Sequence, residues 1–341
     1  MLLSPAAKGE EGMGSEMGEF KPLNRSNRGA SVTIEGKDTD ENEGTIIKSE
    51  YGDCEVTILG DRKLPAMVTY PDVGTTYDSC YKGFFQFCGD NCVFKHYCLI
   101  HINPPGQHYG SETLKKKLSM QDLTEHLVHI LDEVKVTNFH AMGCGMGAYV
   151  MLDFASKYPK RMQSMILINP SSQKSWTLDR FYAKCNIFAK SYFKYDKWWK
   201  DQFIRRWFHR STIMGNLDLV DIHEKLFFRL NQKNVKMLSS SFMARKDITK
   251  QLSSINCRTI LLVSESEGNL NEQEAVHVMD GLKHMKDTTW IKVKNSGVLL
   301  TEEAPGALLH PLNLFYAGDM GLLITKDMLD HSRALQQAAH Y

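Results

Sequence analysis

The chain has 341 residues, 42% of them hydrophobic, and its 41 lysines and arginines almost cancel its 40 aspartates and glutamates. That balance excludes the long-range positive field of a general nucleic-acid binder, and the length suffices for one large α/β domain with a sizeable core. The N-terminal MLLSPAAKGEEGMGSE breaks its apolar run at Ser4-Pro5, and no later stretch reaches the roughly 18 consecutive apolar residues of a membrane helix, so neither a signal peptide nor a span is expected.

Residues 1 to about 47 are rich in Gly, Glu, Lys, Ser and Asn, with isolated apolar side chains too sparse to offset the entropy of ordering, and are expected to form a disordered tail. Short apolar runs then alternate with helical periodicity: CEVTILG (54–60), AMVTYP (66–71), YCLIHINPP (97–105), NFHAMG (138–143), SMILINP (164–170), RTILLVS (258–264) and TWIKVK (289–294). Alternation of this kind predicts an α/β fold, a mostly parallel sheet with helices on both faces.

Between ILINP and RTILLV lie almost ninety residues without a convincing strand, far longer than an ordinary connection, so a helical insertion over about 171–256 is expected. In SMQDLTEHLVHILDEVKV, Leu123, Leu127, Ile130, Leu131 and Val134 recur at helical spacing. His126 and His129 are placed on the polar side of that helix, a solvated face rather than a metal site, since no third ligand accompanies them. The eight cysteines, several inside strand-like runs, read as small buried thiols of a reducing cytoplasm; Cys88 and Cys92 lack the paired spacing of a zinc knuckle, and no metal or cofactor is expected.

The turn FHAMGCGMGAYVM (139–151) concentrates the chemical question. Gly143, Gly145 and Ala148 satisfy G-x-G-x-x-A, but the turn follows several strands and the next strand ends Ile168-Asn169-Pro170, without the acidic residue of a dinucleotide site. A nucleophile elbow needs small residues two before and two after the nucleophile, and Gly143 and Gly147 fit. The nucleophile position is then Gly145, which has no attacking atom. Cys144 is one residue early, and centring the elbow on it would place Met142 and Met146 where small residues belong.

The remaining triad members follow in the chain order nucleophile, acid, histidine. Glu265 or Glu267, in SESEGN after RTILLVS, occupies the acid position. Gly297 stands where a glycine precedes the histidine, but the next residue is Val298, and His310 lies a dozen residues on. Asp72, in VTYPDVGTTYDSC, would repel a developing oxyanion. Gly145, Glu267 and Val298 therefore make a degenerate triad with no assigned catalytic residue.

With VTYPDVGTTYDSCYKGFFQF, HINPPGQHYGSETL, GCGMGAYVMLDFASKYPKRMQSMILINP and NSGVLLTEEAPGAL in this order, the chain resembles the N-myc downstream-regulated (NDRG) family over roughly Ile47 to Leu323. The resemblance implies an α/β-hydrolase fold over 48–323, an inserted helical cap, a tail over 324–341, and a non-catalytic cytoplasmic role in signal transduction, differentiation, stress response or trafficking. The alternative is a weak or unorthodox hydrolase using Cys144 or an unrecognised residue. Pro71 and Asn103 depart from the family's common His and Asp, and the Ser/Thr-rich C-terminal repeats of some members are absent.

One segment bears on partners. KSWTLDRFYAKCNIFAKSYFKYDKWWKDQFIRRWFHR (174–210) is dense in Lys, Arg and aromatics. It reads as cap packing, with Lys and Arg stems covering aromatics; its functional reading is a face for anionic lipid or an acidic protein through Trp198, Trp199 and Trp207. Nucleic acid is not expected as a partner, for want of a reader motif.

Overall fold

The computed structural model describes residues 44–89, 92–174, 195–265, 270–285 and 287–317. Glu267, the tail expected at 324–341 and all but the last residues of the expected N-terminal tail lie outside the described residues.

Eight strands form one sheet in the order β1-β2-β4-β3-β5-β6-β7-β8. They run Thr45–Ile47 (β1), Cys54–Leu59 (β2), Ala66–Tyr70 (β3), Cys98–Ile102 (β4), Phe139–Cys144 (β5), Met162–Ile168 (β6), Arg258–Ser264 (β7) and Thr288–Val293 (β8). Strands β3 to β8 are mutually parallel, while β2 is antiparallel to both β1 and β4. The expected tail therefore ends earlier than residue 47: Thr45 pairs with Val56 and Ile47 with Cys54. Strand β1 is three residues long and mostly exposed, so it carries no periodic pattern.

The central strands are buried on both faces because helices cover both. Helix α1 spans Tyr77–Cys80, α2 Lys82–Cys88, α3 Met120–Glu133 and α4 Met146–Lys157. The insertion supplies α5 (Tyr195–Trp207), α6 (Arg210–Gly215), α7 (Leu217–Phe228) and α8 (Gln232–Met243), and the chain closes with α9 (Leu270–Gly281), α10 (Leu300–Glu303) and α11 (Pro305–Ala317). The described part of the insertion contains helices and turns but no strand.

Helix α3 begins where the sequence signals it. Ser119 accepts a hydrogen bond from the Asp122 N–H, and the Asp122 carboxylate accepts from Ser119 N–H, a reciprocal cap. Leu123, Leu127, Ile130 and Leu131 are buried. His126 corrects the expectation of a solvated face: it is fully buried, with the Tyr51 ring edge-on at 5.8 Å. It lies only one 60° step from Leu123 around the helix, and the β1–β2 connection folds over that flank. His129 stays partly exposed.

Candidate functional site

The C-terminal ends of β3 and β5 to β8 bring the singled-out residues to one end of the sheet, as the parallel strand directions require. Strand β5 passes into α4 through Gly145, with φ 53° and ψ −107°. This is the left-handed half of backbone space, open to glycine and strained for a residue with a Cβ. The Gly145 N–H donates to the Ile168 carbonyl at 2.9 Å, fixing the turn to β6.

The space a nucleophile would occupy is filled. A Cβ on Gly145 would clash with Asp72 Oδ1, far inside van der Waals contact distance. Asp72 is fully buried, and its Oδ1 accepts a hydrogen bond from the Met146 N–H at 2.8 Å. In a nucleophile elbow, the N–H following the nucleophile is an oxyanion-hole donor. Here that donor is already satisfied by a side chain of the same chain.

The buried carboxylate is balanced from the cap. Arg206 on α5 donates through Nε to Asp72 Oδ2 at 3.1 Å and through Nη2 to Oδ1 at 3.4 Å. The turn bearing Asp72 is fixed by Gln107, which accepts from Gly74 N–H at 2.8 Å and donates to the carbonyls of Asp72 and Thr75 at 2.9 and 2.6 Å. Phe203 and Trp207, also on α5, close over Gly74.

Val298 faces the same turn. Its carbonyl accepts from the Cys144 thiol at 3.5 Å and from Asn169 Nδ2 at 3.2 Å, while its N–H donates to the Arg206 carbonyl at 3.0 Å. Leu299 N–H donates to the Trp207 carbonyl at 3.1 Å. A Cβ on Gly297 would overlap that Trp207 carbonyl, so glycine here permits the cap helix to meet the loop backbone to backbone. The cap is thus stitched onto the loop where a catalytic histidine would stand.

The acid position is not drawn in. Glu265 directly follows β7, but its carboxylate pairs with Lys292 at 3.2 Å, and Lys292 also holds Glu272 at 2.9 Å. Glu267 lies outside the described residues. Between β6 and β7 sits a neutral amide: Asn169, at φ 47°, accepts from Ser264 N–H at 2.8 Å and donates to Val298. Cys144 is buried, and burial together with the neighbouring Cys80 thiol holds its pKa well above the ordinary thiol value. It is present as the thiol, not the nucleophilic thiolate. Among the described residues no three His, Cys, Asp or Glu side chains converge as metal ligands, and no helix is long and apolar enough to cross a membrane.

The family model described as Ndr family matches residues 44–324. The chain belongs to the Ndr family. Among Ndr relatives, the pollen-specific protein SF21 of Helianthus annuus is 31% identical over 283 residues, covering 80% of this chain and 79% of that one. Protein NDRG4-A of Xenopus laevis is 26% identical over 333 residues, 93% of this chain and 82% of its own. The fold is that of α/β-hydrolases: the enol-lactonase of Burkholderia xenovorans superposes with a TM-score of 0.67 at 13% identity, over 80% of this chain and all of that one. MGS-M2, an α/β-hydrolase enzyme from a deep-sea metagenome library, gives 0.66 at 18% identity, over 80% and 97% of the two chains.

Within this Ndr chain, one departure from the family pattern has a local cause. Asn103 donates through Nδ2 to Glu55 Oε2 at 2.6 Å and accepts from Tyr77 N–H at 2.8 Å, so an aspartate there would set two carboxylates against each other. Sequence reasoning singled out neither Gln107 nor Asn169, although both lie in quoted motifs, and it had no signal for Arg206, whose role depends on a partner 134 positions away. The aromatic segment is described in part. Trp199 and Trp207 are 2% and 1% exposed and form a run with Phe203, with ring centroids 5.2 Å apart at each step. They pack within the cap; residues 175–194 and the side chain of Trp198 lie outside the described residues.

Proposed function

We propose that this chain is a non-catalytic, pseudo-hydrolase member of its family, acting in the cytoplasm as a signalling, differentiation, stress-response or trafficking adaptor. The observation that supports this reading most is the Asp72 carboxylate on the Met146 N–H. An acyl substrate would have to seat its carbonyl oxygen where Asp72 Oδ1 sits, and the resident charge has the sign of the oxyanion it would need to stabilise. Gly145 offers no attacking atom, Val298 cannot move a proton, and burial keeps Cys144 protonated. The reading requires no metal or cofactor. Its partners are proteins; contact of segment 174–210 with anionic lipid rests on charges such as Arg205 and Arg210, since Trp199 and Trp207 are buried.

The test is p-nitrophenyl acetate turnover by wild type, Cys144→Ala and Gly145→Ser at equal concentration. The expected result is no turnover above buffer for any of them. Multiple turnovers by wild type that disappear in Cys144→Ala would overturn the reading in favour of a cysteine hydrolase.

A further inference from the structure

The far side of α5 is a different surface. A cleft of about 860 Å³ opens between α5, α6, α7 and the loop 296–298, inside the roughly 300–1,000 Å³ range of small-molecule sites. Ile204, Ile213, Met214 and Val220 supply apolar lining, and Arg205, His209 and Arg210 supply polar lining. Arg206 and Val298, which contact Asp72 and Cys144, also line it, so the cleft borders the elbow from the cap side.

Charge pairing sets two of these cations apart. Asp201 and Glu224 also line the cleft, but both are held by Lys200, at 3.3 and 2.6 Å. Arg206 is committed to Asp72. The Glu303 carboxylate accepts from the backbone N–H groups of His209 and Gly297. Arg205 and Arg210 have no acidic partner among the described residues. His209 Nδ1 accepts from Ser211 N–H at 3.2 Å.

We propose that this cleft binds a soluble amphipathic anion, a carboxylate or phosphate head on a short alkyl chain, with the head on Arg205 and Arg210 and the chain along Ile204, Ile213 and Met214. Guanidinium donors match such heads through charge-assisted hydrogen bonds, and apolar wall area covers the chain. The site is independent of whether the elbow turns over an ester, because none of its head-group residues touches Asp72 or Gly145.

The experiment is calorimetric titration of the full chain with sodium decanoate below its micellar range, with 1-decanol as the neutral control. Wild type is compared with Arg205→Ala/Arg210→Ala and Met214→Glu, exposed substitutions whose folding is checked by circular dichroism. Saturable decanoate binding is expected, weakened by about tenfold or more in the double variant and in Met214→Glu, with decanol weaker than decanoate by a similar factor. Absence of saturable binding, equal affinity in the double variant, or equal affinity for decanol overturns the proposal. Sedimentation with phosphatidylserine-containing vesicles in the absence of decanoate binding also overturns it, in favour of a bilayer surface.

Discussion

Arg205 and Arg206 are neighbours on one helix and live in different environments. Both line the cleft, but Arg206 reaches a carboxylate that is fully buried, whereas Arg205 is exposed and has no acidic partner among the described residues. Successive helical residues point about 100° apart, so a pair of arginines at the edge of a buried face divides between core and solvent. A run of basic residues is therefore not one feature. Its members separate by what each faces, and the inner one holds the cap to the elbow.

The sharpest way to break this comparison is to remove the two arginines singly. Arg206→Ala leaves Asp72 buried without its counter-charge, and a loss of about 3–5 kcal/mol is expected in urea unfolding. Equal losses for Arg205→Ala and Arg206→Ala would remove the distinction. Gly145→Ser tests the same region from the other side: positive φ and overlap with Asp72 predict a loss of about 2–4 kcal/mol and no gain of esterase activity. A Gly145→Ser protein as stable as wild type would mean that Asp72 can withdraw from the elbow.

A third test exploits buried titrating groups far from the elbow. Burial lowers the pKa values of His101 and His126 to about 3, whereas the unfolded chain takes up both protons near pH 6.5. Stability is thus present above about 6.5 and is lost as pH falls. Glu302 works the other way: burial raises its carboxyl to about 7, so its contribution grows on acidification and offsets roughly one histidine. Between about pH 6.5 and 5 the net loss from these three groups averages about 1 kcal/mol per pH unit. Neither ring nitrogen of His126 has a hydrogen-bond partner among the described residues. His126→Phe should therefore stabilise the protein at pH 5 by about 1–2 kcal/mol more than at pH 7, measured by the urea midpoint. A variant with an unchanged pH slope would contradict this account. The smallest effect belongs to Arg205→Ala, whose unfolding free energy should stay within about 0.5 kcal/mol of wild type.

The inner strands were legible because buried strands leave apolar runs, β2 and the largely exposed β8 because β-branched and aromatic residues recur in them, and the insertion was legible from its length alone. Strand β1 was not, since three residues paired at an edge hold no period. At the site, Gly145 and Val298 were legible as the residues standing at the expected nucleophile and histidine positions. Asp72 was legible as a charge hostile to an oxyanion, but not as the occupant of its place, because occupancy depends on Arg206 arriving from the cap and on Gln107 fixing the turn. His126 was misplaced for a related reason: helical periodicity describes one helix, and Tyr51 reaches it from another part of the chain.

Ester hydrolysis ends with a carboxylic acid beside the elbow, and an enzyme completes its cycle only when that product departs. In this chain the carboxylate on the Met146 N–H is Asp72, joined to the backbone two residues beyond β3 and clamped by Arg206. In this structure the elbow therefore has the likeness of a product complex whose carboxylate is tethered to the chain itself.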